Sequence, residues 1–157
     1  MDRIRISDNF YLDEFQCGKG LPRLCPHCHG SVVIYPWFLN ALQTARSMAD
    51  VRFRINSGHR CLLHNRDVHA GLMFGKVYSE LDPYPQSEVR KHDTSRHLWD
   101  AADIRPLTDD VEQKADVYRV IKSVFDKLGW SHYYDDNDFI HVDTRLVTSA
   151  YYSQEIG

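Results

Sequence analysis

The chain has 157 residues, 43% of them hydrophobic and 26% charged, with a formal net charge of −3. That length supports one domain with a core of its own, residues 1–157, and the composition is ordinary for a soluble globular protein. A slightly acidic chain without a basic stripe argues against nucleic acid as the main partner, no apolar run approaches the ~20 residues of a membrane span, and the opening MDRIRISDNF lacks a signal-peptide core. Synthesis in the cytoplasm without membrane insertion is therefore expected.

In chain order, residues 9–16 (NFYLDEFQ) read as a short docking segment. The Cys-, His-, Gly- and Pro-rich stretch that follows, within an irregular region 9–30, has no apolar period and reads as a loop. From Pro36 onward, Phe38, Leu39, Leu42 and Ala45 recur at helical spacing, which predicts a helix over 36–49. Val51, Phe53 and Ile55 alternate with polar residues and predict a strand over 51–56. A short helix is expected over 61–69. Residues 71–94, with Gly, Pro and charge but little period, read as a long insertion loop. A strand is expected over 101–105. Asp109 and Glu112 look like a capping pair for an amphipathic helix over 109–128 that stops at Gly129. SHYY and FIHVDTR flank DDND as a β-hairpin would.

Cys17, Cys25 and Cys28 fall close together, and Cys61 lies apart. In a chain without an export signal reduced thiols are expected, and the CPHC spacing lets two thiolates share one metal. Two readings stand side by side. One is a structural zinc on Cys17, Cys25, Cys28 and Cys61, with His27 or His29 as substitutes for Cys61; the other is four reduced cysteines packed as small hydrophobes.

A zinc hydrolase needs three protein ligands and an open position, and His97, Asp103 and His141 offer such a set. On strand alternation His141 and Asp143 share one face, with Ile140 and Val142 on the other. Residue spacing alone equally allows hydrogen-bonded polar residues on a half-buried strand.

Three blocks in order, INSGHRCLLHNRDVHAG, SRHLWDAADI and FIHVDTR, resemble the signature blocks of the zinc D-alanyl-D-alanine carboxypeptidase family. That family includes D,D-dipeptidases and phage endolysins and shares the hedgehog-type fold. The resemblance spans about residues 10–145. It implies an α+β fold with a small, mostly antiparallel sheet, one catalytic zinc on His97, Asp103 and His141, and Arg60 holding the substrate carbonyl or carboxylate. Ser95 is then a hydrogen-bonding residue beside the first ligand. The general base is Asp138 by family spacing or Asp143 by strand alternation, with Asp138 slightly ahead. The implied substrate is a peptidoglycan stem peptide, cut by a D,D-carboxypeptidase or an endolysin-type endopeptidase, acting on the wall after release or from a phage particle. The implied alternative is an inactive member that serves as a structural or wall-binding module.

Two departures from the family pattern stand out. The stretch between His97 and Asp103 is one residue shorter, with Asp100 near the place of the family glycine and a conceivable ligand in its own right. The 71–94 insertion, by contrast, is long, and its His92 is a candidate to reach the metal.

Overall fold

The computed structural model describes residues 3–19, 24–134 and 138–146. Four α-helices, α1 (Pro36–Met48), α2 (Leu62–Phe74), α3 (Pro83–Arg90) and α4 (Val111–Leu128), accompany four strands, β1 (Phe53–Ser57), β2 (Ala101–Pro106), β3 (Trp130–Tyr134) and β4 (Ile140–Leu146). The strands form one antiparallel sheet in the order β1-β2-β4-β3. This is the α+β architecture expected from the sequence. Among the described residues, no helix is long and apolar enough to cross a membrane.

Period-2 alternation divides the sheet into two faces. Phe53, Ile55, Ala102, Ile104, Ile140 and Val142 are buried in one core with Phe38, Leu42, Ile121 and Phe125 of α1 and α4. The Phe38 and Phe125 rings meet edge to face at 6.2 Å, and Trp130 closes on Phe125 at 5.6 Å. With the apolar face committed to this core, Asp103, His141 and Asp143 project from the other.

Helix α4 begins at Asp110 rather than Asp109. The Asp110 carboxylate accepts the Gln113 N–H at 2.8 Å, so the cap lies one residue later than the Asp109/Glu112 pair predicts. Its end is as expected: Gly129 takes the left-handed conformation (φ 69°).

The largest correction falls on residues 61–94. Cys61 is the N-cap of α2, which runs on through Gly71 to Phe74 and ends at a left-handed Gly75. The expected loop then contains a 3₁₀ turn (Tyr78–Glu80) and α3. Pro83 and Pro85 lie in the first turn of α3, where a missing N–H costs nothing, so they start a helix instead of marking a loop. Ala70, Leu81 and Val89 bury a second small core, and Arg66 forks onto Asp93 at 3.0 and 2.6 Å. The hairpin's DDND turn falls largely outside the described residues, which resume at Asp138.

Candidate functional site

Sheet register brings two of the predicted ligands together. Asp103 on β2 pairs directly with His141 on β4, and His141 pairs on its other side with Tyr133 on β3. Side chains of directly paired residues lie on the same face, so the Asp103 carboxylate meets the His141 ring, with Nδ1 to Oδ1 at 2.9 Å. Across β1 a bulge between Ile55 and Ser57 sets Ser57 opposite Asp103.

His97 arrives from a 3₁₀ turn, Arg96–Leu98. The shortened connection closes: the turn through Trp99 and Asp100 leaves His97 Nε2 3.3 Å from Asp103 Oδ1. Ligand atoms of His97, Asp103 and His141 all lie within 4.8 Å of one another, and all three residues are buried. Asp100 stays outside this group, because its carboxylate is taken by Arg96 and the Thr144 hydroxyl.

The outer nitrogens fix which atoms face inward. The Gly58 carbonyl can only accept, so His97 Nδ1, 2.8 Å away, carries a proton and Nε2 is left facing Asp103. His141 Nε2 donates to Asp143 Oδ2 at 2.9 Å, which turns Nδ1 toward Asp103. Such outer partners orient metal-binding imidazoles. Asp143 is itself fully buried and held by the Arg145 N–H (2.8 Å) and guanidinium (2.9 Å to Nε).

Electrostatics follow from this packing. Burial pushes the Asp103 carboxyl up, but hydrogen bonds from His141 and His97 outweigh it and hold the group well below the usual carboxylate range. Burial also lowers His141, yet Asp103 and Asp143 together raise it. For Asp143, the bonds from His141 and Arg145 overcome burial and bring the carboxyl down to about 2. The centre is therefore an anionic carboxylate oxygen between two imidazole nitrogens. Two nitrogens and one carboxylate oxygen, each with its outer atom anchored, fit a zinc donor set.

Arg60 reaches the centre from the loop after β1. Its Nη2 lies 3.4 Å from Asp103 Oδ2 and 3.2 Å from Ser57 Oγ, and its N–H donates to the His97 carbonyl at 2.8 Å. These groups open on a cleft of about 380 Å³ whose walls include Ser95, Phe139 and Tyr133, together with His69 and Leu72 of α2 and His92 from beyond α3. The insertion thus forms one wall of the cleft. His92 stacks on His69 at 4.2 Å and is not part of the His/Asp/His group.

The two candidate bases are both engaged by basic partners. Asp138, in the left-handed region at φ 63°, gives its carboxylate to Lys114 at 2.8 Å and to the Tyr134 hydroxyl, and it does not line the cleft. Asp143 shares the face of His141, as alternation predicts, but is engaged by His141 and Arg145. Sequence reasoning missed the Gly58 carbonyl, Arg145 and the Tyr133 ring that stacks on His141 at 4.8 Å. Of these, Tyr133 was legible from the hairpin register, whereas a backbone carbonyl carries no residue-type signal.

The four cysteines also converge. Cys17, Cys25, Cys28 and Cys61 have sulfurs within 4.8 Å of one another, and all four are free thiols. The substitutes for Cys61 are not needed, since His27 pairs with Asp67 at 2.7 Å and His29 is exposed.

No protein-family model matches the chain, and no curated protein matches it in sequence. Among solved structures it is similar to the L-Ala D-Glu endopeptidase ChiX of Serratia marcescens, at 13% identity and a TM-score of 0.47, over 74% of this chain and 84% of that one. A likeness at this level assigns no activity.

Proposed function

We propose that this protein is a zinc-dependent peptidase that hydrolyses peptide bonds in peptidoglycan stem peptides, after release from the cell or from a phage particle. The observation that carries the reading is the convergence of His97 Nε2, Asp103 Oδ1 and His141 Nδ1 beneath an open cleft, each ring braced from behind by Gly58 or Asp143. The substrate class rests on the resemblance of the three ordered sequence blocks.

Bound zinc would supply Lewis acidity to a substrate carbonyl and bring the pKa of a water to near 7. The chain's own residues do the rest. Arg60, half-buried beside Asp103, directs guanidinium donors toward charge that develops on the scissile carbonyl. Tyr133 and Phe139 give the cleft an apolar side for the peptide, and Arg96 and Arg145 lie at its edge paired with Asp100 and Asp143. Ser95 adds a hydroxyl at the rim. Proton transfer needs a group with access to the cleft, and His69 and His92 are imidazoles there.

A second reading, a wall-binding module without turnover, is favoured by one observation: the carboxylates of Asp138 and Asp143 are both committed to basic partners. Release of new amino groups from purified peptidoglycan by the zinc-loaded protein, measured against His97→Ala, separates the two. Cleavage lost in the variant supports the peptidase; retention on peptidoglycan without cleavage at any pH supports the module. Turnover that survives in Asp138→Ala but falls in His92→Ala assigns the proton to the cleft wall.

A further inference from the structure

The cysteine cluster is separate from the cleft and joins two N-terminal turns to the start of α2. Cys17 follows the first 3₁₀ turn (Leu12–Phe15), Cys25 and Cys28 sit on a turn, and Cys61 caps α2. Cys25 Sγ and Cys61 Sγ are 3.8 Å apart. A disulfide requires about 2.05 Å, whereas a tetrahedron with metal–sulfur bonds of ~2.3 Å has edges of about 3.8 Å.

The surrounding backbone is shaped to hold anionic sulfur. Cys17 Sγ accepts the Cys61 N–H at 3.2 Å, and Cys61 Sγ accepts the His64 N–H at 3.4 Å. The approach is tight: a Cβ on Gly18 (φ 78°) would lie 2.7 Å from the Cys25 nitrogen. His29, a non-glycine at φ 54°, completes the turn with its N–H on the Cys25 carbonyl at 2.8 Å.

One more chain of contacts leads from the sulfurs to the cleft. Residues 58–61 form a strap: the His59 N–H donates to the Phe15 carbonyl at 3.1 Å, the Gly58 carbonyl accepts from His97 Nδ1, and the Arg60 N–H donates to the His97 carbonyl. Its two ends are fixed where a Cβ on Gly58 would meet Phe15 Cα at 2.8 Å and where Cys61 enters the sulfur cluster.

We propose that Cys17, Cys25, Cys28 and Cys61 bind a structural zinc ion through four thiolates, and that this site holds the Gly58–Cys61 strap against His97. Binding releases the four thiol protons to solvent, and Zn²⁺ with four thiolates leaves the site at −2, offset by the N–H donors around it. No redox step is involved.

The test uses the wild-type protein purified under reducing conditions. A mercurial thiol reagent titrated into the zinc-loaded protein is expected to release one zinc per four thiols, and the cobalt-substituted protein should absorb as tetrahedral sulfur-ligated Co²⁺. In Cys25→Ser/Cys28→Ser both signals disappear, while Cys28→His keeps one zinc with a shifted cobalt spectrum. Hydrogen exchange reads the strap: releasing the thiolate zinc should expose the amides of His59, Arg60 and Cys61 while those of β2 stay protected. Four thiols that titrate without releasing zinc, or disulfides in the purified protein, would overturn the site. Unchanged protection at 59–61 after zinc release would overturn its role in holding the strap. Because none of these signals depends on peptide cleavage, an inactive protein leaves the test intact.

Discussion

Two clusters of side chains that could hold a metal ion lie on either side of Arg60, and they are ordered by different means. His97, Asp103 and His141 stand on or beside central strands whose opposite face is sealed by Ile104, Ile140, Val142 and Phe125. The positions of Asp103 and His141 follow from sheet register, and His97 is brought to them by a turn held against the Gly58–Cys61 strap. Cys17, Cys25, Cys28 and Cys61 come from turns and a helix cap, outside the sheet. A sheet preorganises a functional centre, whereas a loop cluster gains order from what it binds.

The difference can be broken at several points. The largest effect is expected from His97→Ala or His141→Ala, which should reduce peptidoglycan hydrolysis to background while the sulfur-to-cobalt absorption stays intact. Loss of both would show that the clusters are not independent. Phe125→Ala, which opens the core beneath the sheet, should cost about 3–5 kcal/mol in denaturant unfolding, and its cost should be the same with and without metal on the cysteines.

Arg60→Ala is expected to lower kcat/KM by about 10²- to 10³-fold with zinc content unchanged. A fall in zinc content instead would mean that Arg60 acts by holding Asp103. Asp143→Asn should weaken the cleft metal about 10- to 100-fold, measured by competition with a chelator.

The same variant has a pH signature in the metal-free protein. The Asp143 carboxyl lies at about 2 in the folded chain, below its unfolded value, so it stabilises the fold above pH ~4 and loses that contribution as the pH falls toward 2. At neutral pH the asparagine variant should be less stable by roughly 2 kcal/mol, and the gap should close between pH ~4 and ~2. The smallest effect is expected from Asp110→Ala, a cap remote from both clusters, at about 1 kcal/mol and identical in the presence and absence of zinc.

Much of this arrangement was legible in the sequence. The stripe of α4, its stop at Gly129 and the alternation through FIHVD follow from periods of 3.6 and 2, which local chain geometry imposes. The 71–94 segment was not legible, because its helical turns hold a small core of Ala70, Leu81 and Val89 brought together across sequence, and its prolines serve as helix starters. Asp138 shows the opposite failure. Its spacing from His141 suggests the metal centre, but a left-handed backbone and the Lys114 ammonium carry the carboxylate outward.

By itself, then, the sequence determined α1, α4 and the strands, the apolar face of the sheet, and which residue types were available to bind metal. It also determined that His141 and Asp143 would face away from the core, since alternation gives Ile140 and Val142 the other face. The tertiary structure decided that Asp103 pairs with His141 in register and that a shortened turn still brings His97 to them. It also decided that a backbone carbonyl at Gly58, reached from the cysteine cluster through a short strap, sets the ring. Those decisions depend on contacts between residues about 40 positions apart in the chain, and such contacts leave no period in the sequence.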